Sequence, residues 1–280
     1  MEERHVVVLS RDGNRAIAMD SITHANAEYG PNDVLIGASF AGIVAVQQAA
    51  IFKPKGIIAH DAGIGLDGAG INGLWFLDGR GIPAAAVAAN SAPLADGVTM
   101  WEKGRISVVN HWAHILGVRP GDDMRVAIEK MFSWNGLPWD DSVPRERRDV
   151  VKTTDKGSIV ALDSIRFSLP EDRDNVVCVG SHGGTTAAAY ALEIGLRGFI
   201  SSDAGRGWKD SGISGLSLLE ERQIPAAAVD VATARIGEGL STYRDGVVSA
   251  VNGTAIQAGV EVGQRAIEAA ELMLSRNMVY

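Results

Sequence analysis

The sequence predicts an α/β fold made by tandem duplication: two Rossmann-like parallel-sheet units packed about a pseudo-twofold axis. Three observations predict it. Residues 33–131 align without a gap to residues 175–273 at a constant offset of 142, with about a third of the pairs identical, which only common origin explains economically. Within each copy, short apolar runs alternate with helical segments, the pattern of parallel βαβ units. Two copies of one domain on one chain pack about a twofold axis, as homodimers do.

The elements follow in chain order. A strand pair is predicted near 6–9 and 16–19, where AIAMDSI matches IVALDSI of the second copy at an offset of 143. A buried strand follows at 34–38 (VLIGA), then a helix over 43–52, apolar all round and therefore buried. The next strand, 56–60, opens the strongest internal match, GIIAHDAGIG (56–65) upon GFISSDAGRG (198–207). A helix around 69–78, strands at 83–88 and 105–109, and two closing helices complete the unit. The second half repeats this order and ends in an amphipathic helix near 264–275. The divisions are a first repeat at 1–131, a connector at 132–148 and a second repeat at 149–280. The connector's Pro, Gly and charge cluster marks a linker, and its Trp134 and Trp139 predict that it packs on a surface.

Composition narrows the function. The 280 residues are 46% hydrophobic and carry a net charge of −8, which argues against a phosphate-backbone-binding surface and so against nucleic acid. Glycine is the outlier, at 33 residues or about 12%, against a usual ~7%. Without a collagen period, those glycines belong to turns and close backbone approaches. The single cysteine, Cys178, allows no internal disulfide, lies in a strand as a small apolar residue and fits a reducing compartment. The N-terminus lacks a signal-peptide pattern, and no apolar run spans a membrane, so a cytoplasmic protein is expected.

Ligands of open α/β sheets bind beyond the carboxyl ends of the strands. The residues there are polar and glycine-rich in both halves. After the first core strand come Ser39 in one copy and Ser181-His182-Gly183-Gly184 in the other; after the next, Asp61 and Asp203, each opening Asp-Ala-Gly-x-Gly. After the third come Ser91 in the first copy and Thr233, Arg235 and Glu238 in the second. In this reading His182 transfers a proton, Asp203 orients it or acts as base, and Ser181 with the Gly183 and Gly184 amides holds developing negative charge. Arg235 grips a substrate anion. Because His182 stands where the first copy has Phe40, the C-terminal half is the expected seat of chemistry. Each residue also has a structural reading: serines and asparagines such as Asn110 and Asn252 cap helices, and aspartates close turns.

Three other motifs are weaker. GASFA around Ser39 satisfies a loose nucleophile-elbow pattern, but the second copy has Val179 in place of its first glycine. Gly63-Ile64-Gly65-Leu66-Asp67-Gly68 is a literal G-x-G-x-x-G, yet Ala88 stands where a dinucleotide fold wants an acid. His111-x-x-His114 puts two rings near one helix face without a third ligand. The expected function is therefore an enzyme, hydrolase or lyase, acting on a small polar or anionic metabolite by acid/base chemistry, with no cofactor and no metal. The alternatives are a nucleotide-dependent oxidoreductase and a non-enzymatic metabolite-binding module. The expected partner is the small molecule, with homo-oligomerisation left open.

Overall fold

The computed structural model describes residues 4–136 and 147–276, and in it each half forms one six-stranded sheet. In the first half the chain runs β1 (His5–Arg11), β2 (Asn14–Met19), β3 (Asp33–Phe40), α1 (Ile43–Ala50), β4 (Gly56–His60), α2 (Gly73–Asp78), β5 (Ala84–Val87), α3 (Gly97–Lys103), β6 (Ile106–Val109), α4 (His111–Ile115) and α5 (Met124–Phe132). The second half repeats it: β7 (Arg148–Thr154), β8 (Gly157–Leu162), β9 (Val176–His182), α6 (Thr185–Ile194), β10 (Gly198–Ser202), α7 (Gly215–Glu221), β11 (Ala226–Val229), α8 (Gly239–Arg244), β12 (Val248–Val251), α9 (Gly253–Gln257) and α10 (Ala266–Ser275).

The sheets are mixed where wholly parallel βαβ units were expected. β2 through β5 are parallel neighbours, whereas β1 and β6 join the two edges antiparallel, and the second sheet repeats this. At one edge the cause is local: the turn at Asp12 and Gly13, with φ of 50° and 79°, closes a tight hairpin. At the other, α3 turns the chain back before β6. This helix was not foreseen, because Gly97, Val98 and Thr99 are poor helix formers. Asp96 caps it by accepting from the Thr99 amide, and Gly97 is obligatory, since a β-carbon there would lie 2.4 Å from the Met19 backbone.

Strands follow one another in simple sequential order, so right-handed crossovers put α1 and α2 on one face of the first sheet, with α3 and α5 on the other. No reversal of strand order opens a crevice within either sheet. The carboxyl ends of the strands instead meet across the pseudo-twofold axis. Reciprocal hydrogen bonds mark it: Leu66 N donates to Val231 O at 2.9 Å, and the equivalent Trp208 N donates to Ala89 O at 2.7 Å. Gly63 faces Gly205 so closely that a β-carbon on either would lie 3.2 Å from the other's Cα. The first half's core takes in Ala204, Val231 and Ile236 from the second. Trp134 of the connector packs against Trp112 with the rings tilted by 46° and accepts a hydrogen bond from Lys55 on its carbonyl, while Trp139 lies outside the described residues. Among the described residues no helix is long and apolar enough to cross a membrane.

Candidate functional site

The residues singled out in the sequence are mostly consumed by this junction. Asp203 Oδ1 accepts the Gly205 and Val231 amides while Oδ2 accepts the Ser249 hydroxyl; Asp61 Oδ1 likewise takes the Gly63 and Ala89 amides. Each carboxylate ties the loop after one strand to the loop after the next, and Asp203 makes no hydrogen bond to His182. The Gly183 and Gly184 amides do not face a ligand either, since they donate to Ser202 O and to His182 Nδ1. Arg235 ion-pairs with Asp67 of the other half at 2.7 Å. Thr233 and Ser91 close equivalent loops, donating to Asp230 O and Ala88 O and accepting the Val247 and Arg105 amides. The polar groups of Asp203, Gly183, Gly184 and Arg235 are thus engaged within the protein in this structure.

Ser39, Ser181 and His182 do come together, on the axis itself. They line one cavity of about 30 Å³ between the halves, and each is buried. Burial, reinforced by the nearby His60, pushes the His182 imidazole down to about 4, so it is neutral at pH 7. Cys178 is buried in β9, and burial pushes its thiol up to about 12. Asn110 and Asn252 cap α4 and α9 by accepting the Ala113 and Ala255 amides. Most amides of the G-x-G-x-x-G loop are already engaged: Gly63, Ile64, Gly65, Leu66 and Gly68 donate to Asp61 Oδ1, Asp61 O, Gly63 O, Val231 O and Gly65 O.

The accessible clefts lie to either side of the axis, and they are equivalent by the repeat. The first, about 930 Å³, is lined by Arg4, His5, Asp20, Asp96, Thr99, Lys209 and Ser211 among others. The second, about 320 Å³, presents the matching Arg147, Asp163 and Glu238, which places Glu238 at a ligand-accessible wall. In the first, Arg4 Nη2 bridges Asp20 and Asp96 at 2.7 Å each. Burial works against the charge of Asp96, but the Thr99 hydroxyl and amide and the Arg4 guanidinium outweigh it and hold its carboxyl below the usual range. In the second, Arg147 pairs with Asp149 instead, and burial raises the Asp163 carboxyl.

One feature of the first cleft is a departure from the repeat. His5 Nδ1 hydrogen-bonds the Tyr29 hydroxyl, and the His24 ring stacks at 6.3 Å from His5. At the equivalent positions of the second half stand Arg148 and Asp172, a closed ion pair at 2.5 Å with the carboxylate fully buried. A structural ion pair in one copy is a His–Tyr pair at a cleft in the other. Lys209 is similarly distinctive: its counterpart Asp67 is paired with Arg235, whereas Lys209 faces the Pro93 side and has no carboxylate partner among the described residues. Comparison with protein-family models, curated proteins and solved structures finds no match.

Proposed function

We propose that the protein is an enzyme acting on a small, polar, anion-bearing metabolite by acid/base chemistry, a hydrolase or lyase, in the first cleft and not on the strand ends. The observation that carries this reading is His5 on the wall of the 930 Å³ cleft with its Nδ1 held by Tyr29. The volume falls within the range of small-molecule sites, roughly 300–1,000 Å³. An imidazole is the side chain suited to move protons near neutrality, and a hydrogen bond at one nitrogen orients the other. Lys209 supplies a cation for the metabolite's anionic group. Arg4, fixed between Asp20 and Asp96, orients polar substituents and favours the charged form of Asp96.

A thermal-shift screen of small carboxylates and phosphorylated metabolites at millimolar concentration identifies the ligand class. His5→Gln is then expected to leave affinity within about threefold and to lower turnover by about 10² or more, the usual contribution of general acid/base catalysis. Lys209→Ala is expected to weaken binding at least tenfold. Unchanged turnover in His5→Gln overturns the catalytic assignment, and saturable binding without turnover by the native protein marks a binding module instead.

A further inference from the structure

The cavity on the pseudo-twofold axis is separate from the clefts, and its lining is chemically one-sided. Ser39 Oγ accepts the Ile22 amide and Ser181 Oγ the Ile165 amide, each at 3.0 Å, yet neither hydroxyl hydrogen has an acceptor among the described residues. His182 Nδ1 accepts the Gly184 amide at 3.1 Å, which leaves the ring hydrogen on Nε2, again without a protein acceptor. These three side chains are 3%, 7% and 4% exposed, so water outside does not satisfy them. Unmatched buried donors are costly, and native proteins answer them with a water or an ion.

Charge decides between the two. The first turns of α1 and α6 border the same cavity through Val44 and Thr186, so two helix N-termini, eight and ten residues behind them, bear on it from opposite halves. Their partial positive charges add, and among the described residues no carboxylate lines the cavity. About 30 Å³ admits one water or one monatomic anion. One water accepts two hydrogen bonds and so leaves one of the three hydrogens unmatched; an anion accepts from all of them.

We propose that the axial cavity is an anion site holding one halide-sized ion between Ser39, Ser181 and His182, and that the ion braces the junction of the two halves. An ion bound only by the folded chain raises its melting temperature. The full chain is compared in about 0.3 M sodium chloride and the same concentration of sodium glutamate. The expected result is a Tm higher by about 4 °C in chloride, a difference abolished in the Ser39→Ala/Ser181→Ala double variant. Retention of the difference in that variant overturns the proposal. Crystals of the unaltered protein grown in bromide provide a reading that does not depend on the variant's folding: an anomalous peak in the axial cavity supports the site, and no peak there overturns it.

Discussion

The two halves descend from one sequence and keep one fold, yet they treat the same positions in opposite ways. In the second half Arg148 and Asp172 lock the start of β7 to the loop before β9, with the carboxylate wholly buried. In the first half the same places hold His5 and Tyr29, half-buried beside the larger cleft. Asn72 accepts the Ile43 amide and so closes the start of α1, whereas its counterpart Ser214 turns to Ser211 O and leaves α6 uncapped by a side chain. Arg235 and Asp67 bridge the halves on one side; Pro93 and Lys209 fail to do so on the other. Each contrast closes the second side and opens the first. The duplicated fold thus concentrates these stabilising contacts on one side of its axis.

The sharpest way to break this contrast is to remove the basic partner on each side. Arg148→Ala strips the guanidinium from a buried carboxylate that keeps only the Leu169 amide as a further partner, and such losses cost about 3–5 kcal/mol. His5→Ala removes one part-buried hydrogen bond and is expected to cost about 1 kcal/mol. Urea denaturation of both variants measures the difference. Equal costs would mean that His5 and Tyr29 are as structural as the ion pair they replace.

How far the sequence shows this can be judged residue by residue. The repeat locates both sheets, both loop sets and the axis, because gap-free self-similarity survives in Asp-Ala-Gly-x-Gly and in Ile-Pro-Ala-Ala-Ala-Val. It also misdirects. A polar, glycine-rich strand end reads as a ligand site when the sheet edge is open, but here each edge is covered by the other half, and Asp61 and Asp203 spend their oxygens on loop amides. Nothing in a one-dimensional pattern distinguishes a carboxylate waiting for substrate from one that staples two loops. His5 and Tyr29 escape notice for the converse reason. They lie 24 residues apart, upstream of the gap-free alignment, and only the folded chain brings Tyr29, in the loop before β3, to His5 on β1. The offset of 143 that links Asp20 to Asp163 also aligns His5 with Arg148 and Tyr29 with Asp172, so the exchange of an ion pair for a His–Tyr pair was the available signal.

The strand ends supply a second contrast, Phe40 against His182. The Phe40 ring reaches across the axis, where a β-carbon on Gly237 would lie 3.2 Å from it, and it has no titration. The His182 imidazole is pushed down to about 4 by burial and by His60, from an ordinary value near 6.5. The unfolded chain therefore binds more protons than the folded one between those two values, so stability is full above about pH 6.5 and falls as pH drops toward 4. At about 1.4 kcal/mol per unit, His182 alone accounts for about 3 kcal/mol of that loss. His60, also depressed chiefly by burial, acts in the same direction. His182→Asn offers an amide oxygen to the Gly184 N–H without a proton to gain. Denaturation profiles from pH 7 to pH 4 are expected to flatten by about that amount, and an unchanged slope would remove His182 from the acid response.

The smallest effect is expected where the geometry looks most deliberate. The Arg235–Asp67 bridge spans the two halves at 2.7 Å, yet both side chains are well exposed, at 39% and 60%. Exposed pairs contribute about 0–1 kcal/mol because water screens the charges and ordering two side chains offsets the gain. Arg235→Ala is thus expected to leave stability nearly unchanged in urea denaturation, the more so at high salt. The informative experiment is the reverse exchange. Pro93→Arg with Lys209→Asp carries the bridge to the first side, with little expected change in stability by denaturation. It also replaces the cation at the large cleft with a carboxylate. If the first side is open because Lys209 serves a ligand, that double variant loses anion binding while folding as before, whereas retained binding would assign the asymmetry at these two positions to drift.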